Sequence, residues 1–155
     1  MLAVAPGSRD DPSCVALIID MAANEDQVLG WLATNAEPGL LTATAKSNLP
    51  CARLAAVWQK ALTSRPAEAH PALAVPLQLC VKRCSKDLDP VLADLLAKNP
   101  RARATILKAI DPFGGDLNDM SETCKALRAG YANGESPLIR ERARDAVANG
   151  CKYTK

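Results

Sequence analysis

The chain has 155 residues, of which 48% are apolar and 23% charged, and its formal net charge is +2. These values exclude a disordered chain, and they bound a single domain able to bury roughly two-thirds of the surface its unfolded form would expose. Residues 1–75 hold five Lys/Arg against seven Asp/Glu and residues 76–155 fourteen against ten, leaving −2 and +4, too weak a basic field for a nucleic-acid binder. The basic runs Lys98–Lys108 and Arg140–Arg144 therefore read as solvated helix faces. Ala and Leu carry the aliphatic content, and the only aromatics are Trp31, Trp58, Phe113, Tyr131 and Tyr153, a mixture that favours helices over strands.

The opening "MLAVAPGSRDD" has neither a basic n-region nor an apolar h-region, so residues 1–11 read as a flexible N-terminus ahead of one domain spanning 12–155. If the protein is exported, its signal peptide is not part of this sequence. No run reaches the length of a membrane span. Most prolines follow a residue able to cap a helix: Asp11-Pro12, Asp89-Pro90, Asn99-Pro100 and Ser136-Pro137 are read as helix starts, since proline's fixed φ and missing N–H suit the first turn. Reading on from these starts predicts helices over 12–22, 25–35, 40–47, 50–64, 76–87, 90–98, 100–110, 117–132 and 137–149. The clearest stripe is Leu117, Met120, Cys124, Leu127 and Tyr131, with Leu73, Leu77, Cys80 and Cys84 next. With no alternating stretch to compete, the fold expected is all-α: an irregular antiparallel bundle or a short superhelix of helical hairpins, stapled by disulfides.

Six cysteines are many for a cytosolic helical protein, and their even number suits pairing in an oxidising compartment. A structural zinc site lacks C-x-x-C, and His70 is the only histidine. An iron–sulfur reading of Cys80 and Cys84 fails where a third cysteine would be needed, at Asp87. A thiol redox couple remains as the enzymatic alternative, with Lys82 and Arg83 projecting from other helix faces. Residues four apart on a helix have side-by-side Cβ vectors, so Cys80 and Cys84 should bond outward to different partners. Antiparallel packing brings Cys51 to Cys84 and Cys151 back to Cys124, and elimination leaves Cys14 with Cys80.

No catalytic constellation stands out. His70 lies in the Pro-rich "PAEAHPALAV" and reads as a surface or capping residue. The segment "DPFGGDLNDMSE" has the length of a calcium loop but puts Phe113 and Gly115 where ligands belong and Asp116 where glycine is required. It instead carries an apolar aromatic on the chain's Gly-Gly turn. Phe113, Gly114, Gly115, Asp116 and Asp119 are thus the expected partner-binding residues, with Phe113 as apolar anchor and the two aspartates as polar contacts. No cofactor or metal is expected, and an Ala-rich chain of short helices suggests a homodimer.

A small, stapled, helical, exported scaffold with a projecting loop resembles, in general type, the periplasmic immunity proteins of bacterial contact-dependent and type VI secretion systems. The resemblance implies a non-catalytic protein of the periplasm or of secretion. It would bind a protein partner, such as a peptidoglycan amidase effector, and block that hydrolase by occluding its active site. Another exported helical interaction protein or lipid carrier is the alternative.

Overall fold

The computed structural model describes residues 26–110, 115–129, 136–152 and 154. They form an all-α fold: α1 (Asp26–Asn35), α2 (Pro38–Lys46), α3 (Cys51–Ser64), a 3-10 helix (Ala67–Leu73), α4 (Ala74–Lys98), α5 (Pro100–Ala109), a second 3-10 helix (Asp116–Asp119), α6 (Ser121–Ala129), α7 (Pro137–Asp145) and a π turn (Ala146–Gly150). Helix α4, kinked at Cys84, is the central element, with α2, α3, α5 and α6 packed around it. Helix α1 docks on α3, and α7 docks on α5.

The sequence explains that centrality. Along α4, Leu77, Cys80, Val81, Cys84, Leu88, Leu92, Leu95 and Leu96 are all buried, recurring at three- and four-residue steps that make one broad apolar face. The expected stripe on the later helix is likewise buried at Leu117, Met120, Cys124 and Leu127, whereas Tyr131 lies outside the described residues. The predicted helix over 12–22 and the flexible 1–11 lie outside them as well.

Three expectations about elements need correction. The break predicted between the helices at 76–87 and 90–98 is misplaced, because Asp89-Pro90 starts nothing: Pro90 sits inside the second part of α4, and the kink falls earlier, at Cys84 (φ −122°, ψ 31°). Asp89 caps a different helix. Its carboxylate accepts from the amides of Glu122 (3.0 Å) and Thr123 (2.7 Å) at the start of α6, while its carbonyl accepts from Thr123 Oγ1 at 3.1 Å. The helix predicted over 117–132 is accordingly divided into the second 3-10 helix and α6. His70, expected at the surface, is only 3% exposed: its connector is wound into a 3-10 helix against α5, with Nε2–H donating to the Arg65 carbonyl at 3.2 Å. Asn99 and Ser136 do cap α5 and α7 as their sequence predicts.

Helix C-termini are closed chiefly by arginine. Arg65 donates to the carbonyls of Leu32 and Ala33 ending α1, at 3.0 and 2.7 Å. Arg83 reaches Ala45 in the last turn of α2 and Ser47 and Leu49 beyond it, and Arg103 reaches Leu96 and Ala97 at the end of α4. A guanidinium's fork of donors matches unpaired terminal carbonyls, and its charge opposes the negative end of the helix dipole. Burial holds Arg65 below the usual arginine range.

Two bridges staple the fold, Cys51–Cys84 between α3 and α4 and Cys124–Cys151 between α6 and the residue after the π turn. Both pairings follow from antiparallel packing as expected. The third expected pair is not found among the described residues: Cys80 holds a free, buried thiol, while Cys14 lies outside them. One helical turn before Cys84, Cys80 faces the α3 side chains, not a further cysteine, and serves as a small apolar residue.

Candidate partner-binding face

Of the five residues expected to meet a partner, Phe113 and Gly114 lie outside the described residues. Gly115 is exposed and takes φ +78°, a left-handed conformation that residues with a Cβ rarely adopt, and from it the second 3-10 helix begins. Asp116 is half-buried and Asp119 exposed. Between them Leu117 is fully buried and seated on Gly150 of the π turn, where an added Cβ would stand 2.4 Å from Leu117 Cδ1. The adjoining residue is Cys151, bridged to Cys124. The structure thus brings Gly115, Asp116 and Asp119 together on one short turn whose apolar side is anchored. Gly150→Ala should cost about 1–3 kcal/mol by overpacking, seen as a lowered urea midpoint at unchanged slope.

A groove opens beside the end of α5. About 320 Å³ of open space is lined by Gln78 of α4, Leu107, Lys108 and Ile110 at the end of α5, Arg142 and Asp145 of α7, and Ala146. Leu107, Ile110 and Ala146 are buried and form an apolar floor, whereas Lys108 and Asp145 are exposed and Arg142 is half-buried. The groove residues were not legible as a site in the sequence. The signal available was the pair of basic runs, one ending at Lys108 and the other containing Arg142, which fold against each other across α5 and α7.

Cys80 bears on the alternative of thiol chemistry. Burial pushes its thiol up from the ordinary 9.0 to about 11, although a hydrogen bond with Trp58 and the charge of Arg83 pull the other way. A thiol at that value holds almost no thiolate at neutral pH. Because the folded value lies above the unfolded one, its contribution to stability is complete below about pH 9 and is lost as pH rises towards 11. Urea midpoints should therefore fall across that window, and the fall should flatten in Cys80→Ala. An equal fall in both proteins would show that other groups govern it.

Among the described residues no three His, Cys, Asp or Glu side chains come together as a metal-binding group, and no helix is long and apolar enough to cross a membrane. Comparison with known proteins finds no family model, no curated protein and no solved structure that matches the chain.

Proposed function

We propose that this chain is a non-catalytic protein-binding module of an oxidising compartment. In its specific form it is an immunity-type inhibitor of the periplasm that blocks a secreted cell-wall hydrolase by covering the active site. The observation that carries the reading is the anchored turn: Leu117 packed on Gly150, beside the Cys124–Cys151 bridge, fixes one end of a segment that presents Gly115 and Asp119 to solvent. A segment held in this way loses little conformational freedom on binding. Two disulfides suit the compartment in which such a hydrolase acts. Phe113 would enter the cleft as apolar anchor, and a carboxylate beside it would meet the donors of a catalytic cysteine and histidine.

The test is titration of the purified protein into a peptidoglycan amidase encoded beside its gene, with clearing of isolated sacculi as the readout. Hydrolysis should stop at equimolar protein. Phe113→Ala should leave the helical spectrum intact and weaken inhibition roughly thirtyfold, the equivalent of about 2 kcal/mol for truncating a central contact. An amidase indifferent to a large excess would sink the inhibitor reading. A Phe113→Ala protein that no longer folds would place Phe113 in the core.

A further inference from the structure

We infer that the groove between α4, α5 and α7 is a docking site for an acidic, aliphatic peptide segment of a protein partner. The inference rests on the reading above that the chain binds a protein, and it names a second surface and the chemistry that fits it.

The first observation is charge without a partner. Lys108 and Arg142 form no ion pair or hydrogen bond among the described residues. Arg65, Arg83 and Arg103, by contrast, are committed to backbone carbonyls. Two cations against the single carboxylate of Asp145 leave the groove net positive, and Lys82, one turn along α4 from Gln78, adds an exposed cation on the same side of that helix. A carboxylate brought between Lys108 and Arg142 would meet charge-assisted donors on both sides.

The second observation is apolar. Beneath the cations lie Leu107, Ile110 and Ala146, an aliphatic floor among the described residues. The large hydrophobic residues most exposed among the described residues, Val75 at 63% and Leu138 at 55%, stand at positions i−3 from Gln78 and i−4 from Arg142. Each therefore shares a helix face with a groove residue. The groove is thus bracketed along its two outer helices by exposed apolar side chains. A small carboxylate would fill the middle and leave Val75 and Leu138 bare, whereas a peptide with an acidic residue flanked by aliphatic ones would cover all three parts. Asp145 and Gln78 supply acceptors for the amides of such a chain. The open shape, with charged side chains at the rim, suits a segment lying across the surface more than a ligand enclosed within it.

The experiment is selection of a phage-displayed random dodecapeptide library on the immobilised full chain. Enriched peptides are then resynthesised and titrated by fluorescence anisotropy and by amide resonance shifts. Enriched sequences should place Asp or Glu within two residues of Leu, Ile or Val. Their shifts should centre on Gln78, Lys108, Ile110, Arg142 and Ala146. Affinity should drop at least tenfold in K108E/R142E, and severalfold as salt rises from about 0.05 to 0.5 M, since exposed charges are screened over that range. Both substituted residues reach solvent, and circular dichroism checks the variant; the single variant Lys108→Glu should show a smaller loss in the same direction. The inference is overturned if the enriched peptides lack acidic residues, if they bind K108E/R142E as well as the parent, if the shifts fall elsewhere, or if nothing is enriched. It is also overturned if octanoate shifts the same resonances at lower concentration than the peptides, which would make the groove a site for small amphiphiles. An amidase still inhibited by K108E/R142E when no peptide binds the groove would leave the proposed function standing and remove this surface from it.

Discussion

Replacing Cys51 and Cys84 together by alanine should lower the unfolding free energy by about 3–4 kcal/mol, and replacing Cys124 and Cys151 should do nearly the same. The bridges close loops of 33 and 27 residues, and in the chain-entropy account a loop of that length restricts the unfolded chain by this amount. For a domain of this size each loss corresponds to roughly 10 °C in Tm. The two bridges share no residue and tie different helix pairs, so their effects should sum in the quadruple variant. Far-ultraviolet circular dichroism in urea measures both. A loss below about 1 kcal/mol for either pair would mean that the unfolded chain is already restricted there, and that the bridge does not hold the helices as argued.

Asp89→Ala should cost about 3 kcal/mol although it removes only a small side chain. The buried carboxylate accepts two amides at the N-terminus of α6, and its charge favours the positive end of that helix. Without it the Glu122 and Thr123 amides lose their acceptor, and an unpaired buried donor costs about 1–3 kcal/mol. Asp89→Asn keeps one acceptor but turns an NH₂ group towards the other amide, so it should recover less than half of the loss. Amide hydrogen exchange localises the effect: Glu122 and Thr123 should lose protection first and the core of α4 last. Uniform loss of protection across all helices would instead mark Asp89 as a general core residue.

The ease with which each feature could be read from sequence tracked how local its cause is. The Cys51–Cys84 and Cys124–Cys151 pairings needed only antiparallel neighbours, and the stripe predicted from Leu117 to Tyr131, seen buried as far as Leu127, needed only a period. Asp89-Pro90 misled because the local rule for proline and its preceding cap is sound in isolation. Here the tertiary demand of α6 for an acceptor claimed Asp89, and the apolar face running through Leu88 and Leu92 carried α4 past the proline. His70 misled for the same reason, since burial of a polar ring depends on a carbonyl supplied by Arg65. The groove was out of reach: Lys108 and Arg142 are 34 positions apart, and each looks alone like a solvated helix charge. Gly115 was legible from the Gly-Gly turn, whereas the use of Gly150 as a seat for Leu117 was not.

Cys80 and Cys84 stand one turn apart on α4, so on its C-terminal side an unfolded chain offers Cys51 these two partners at nearly the same contour distance. Loop closure alone separates the choices by only about 0.1 kcal/mol, far too little to select one bridge. The sorting is supplied by the register in which α3 docks on α4, which sets Cys84 and not Cys80 against Cys51. Once docked, Cys80 is sealed in the interior as a protonated thiol and withdrawn from exchange. Chains oxidised in denaturant before folding should accordingly contain comparable amounts of Cys51–Cys80 and Cys51–Cys84 linkages by peptide mapping, and only the second population should refold. The free cysteine thus makes correct bridging a proofreading step performed by the core itself.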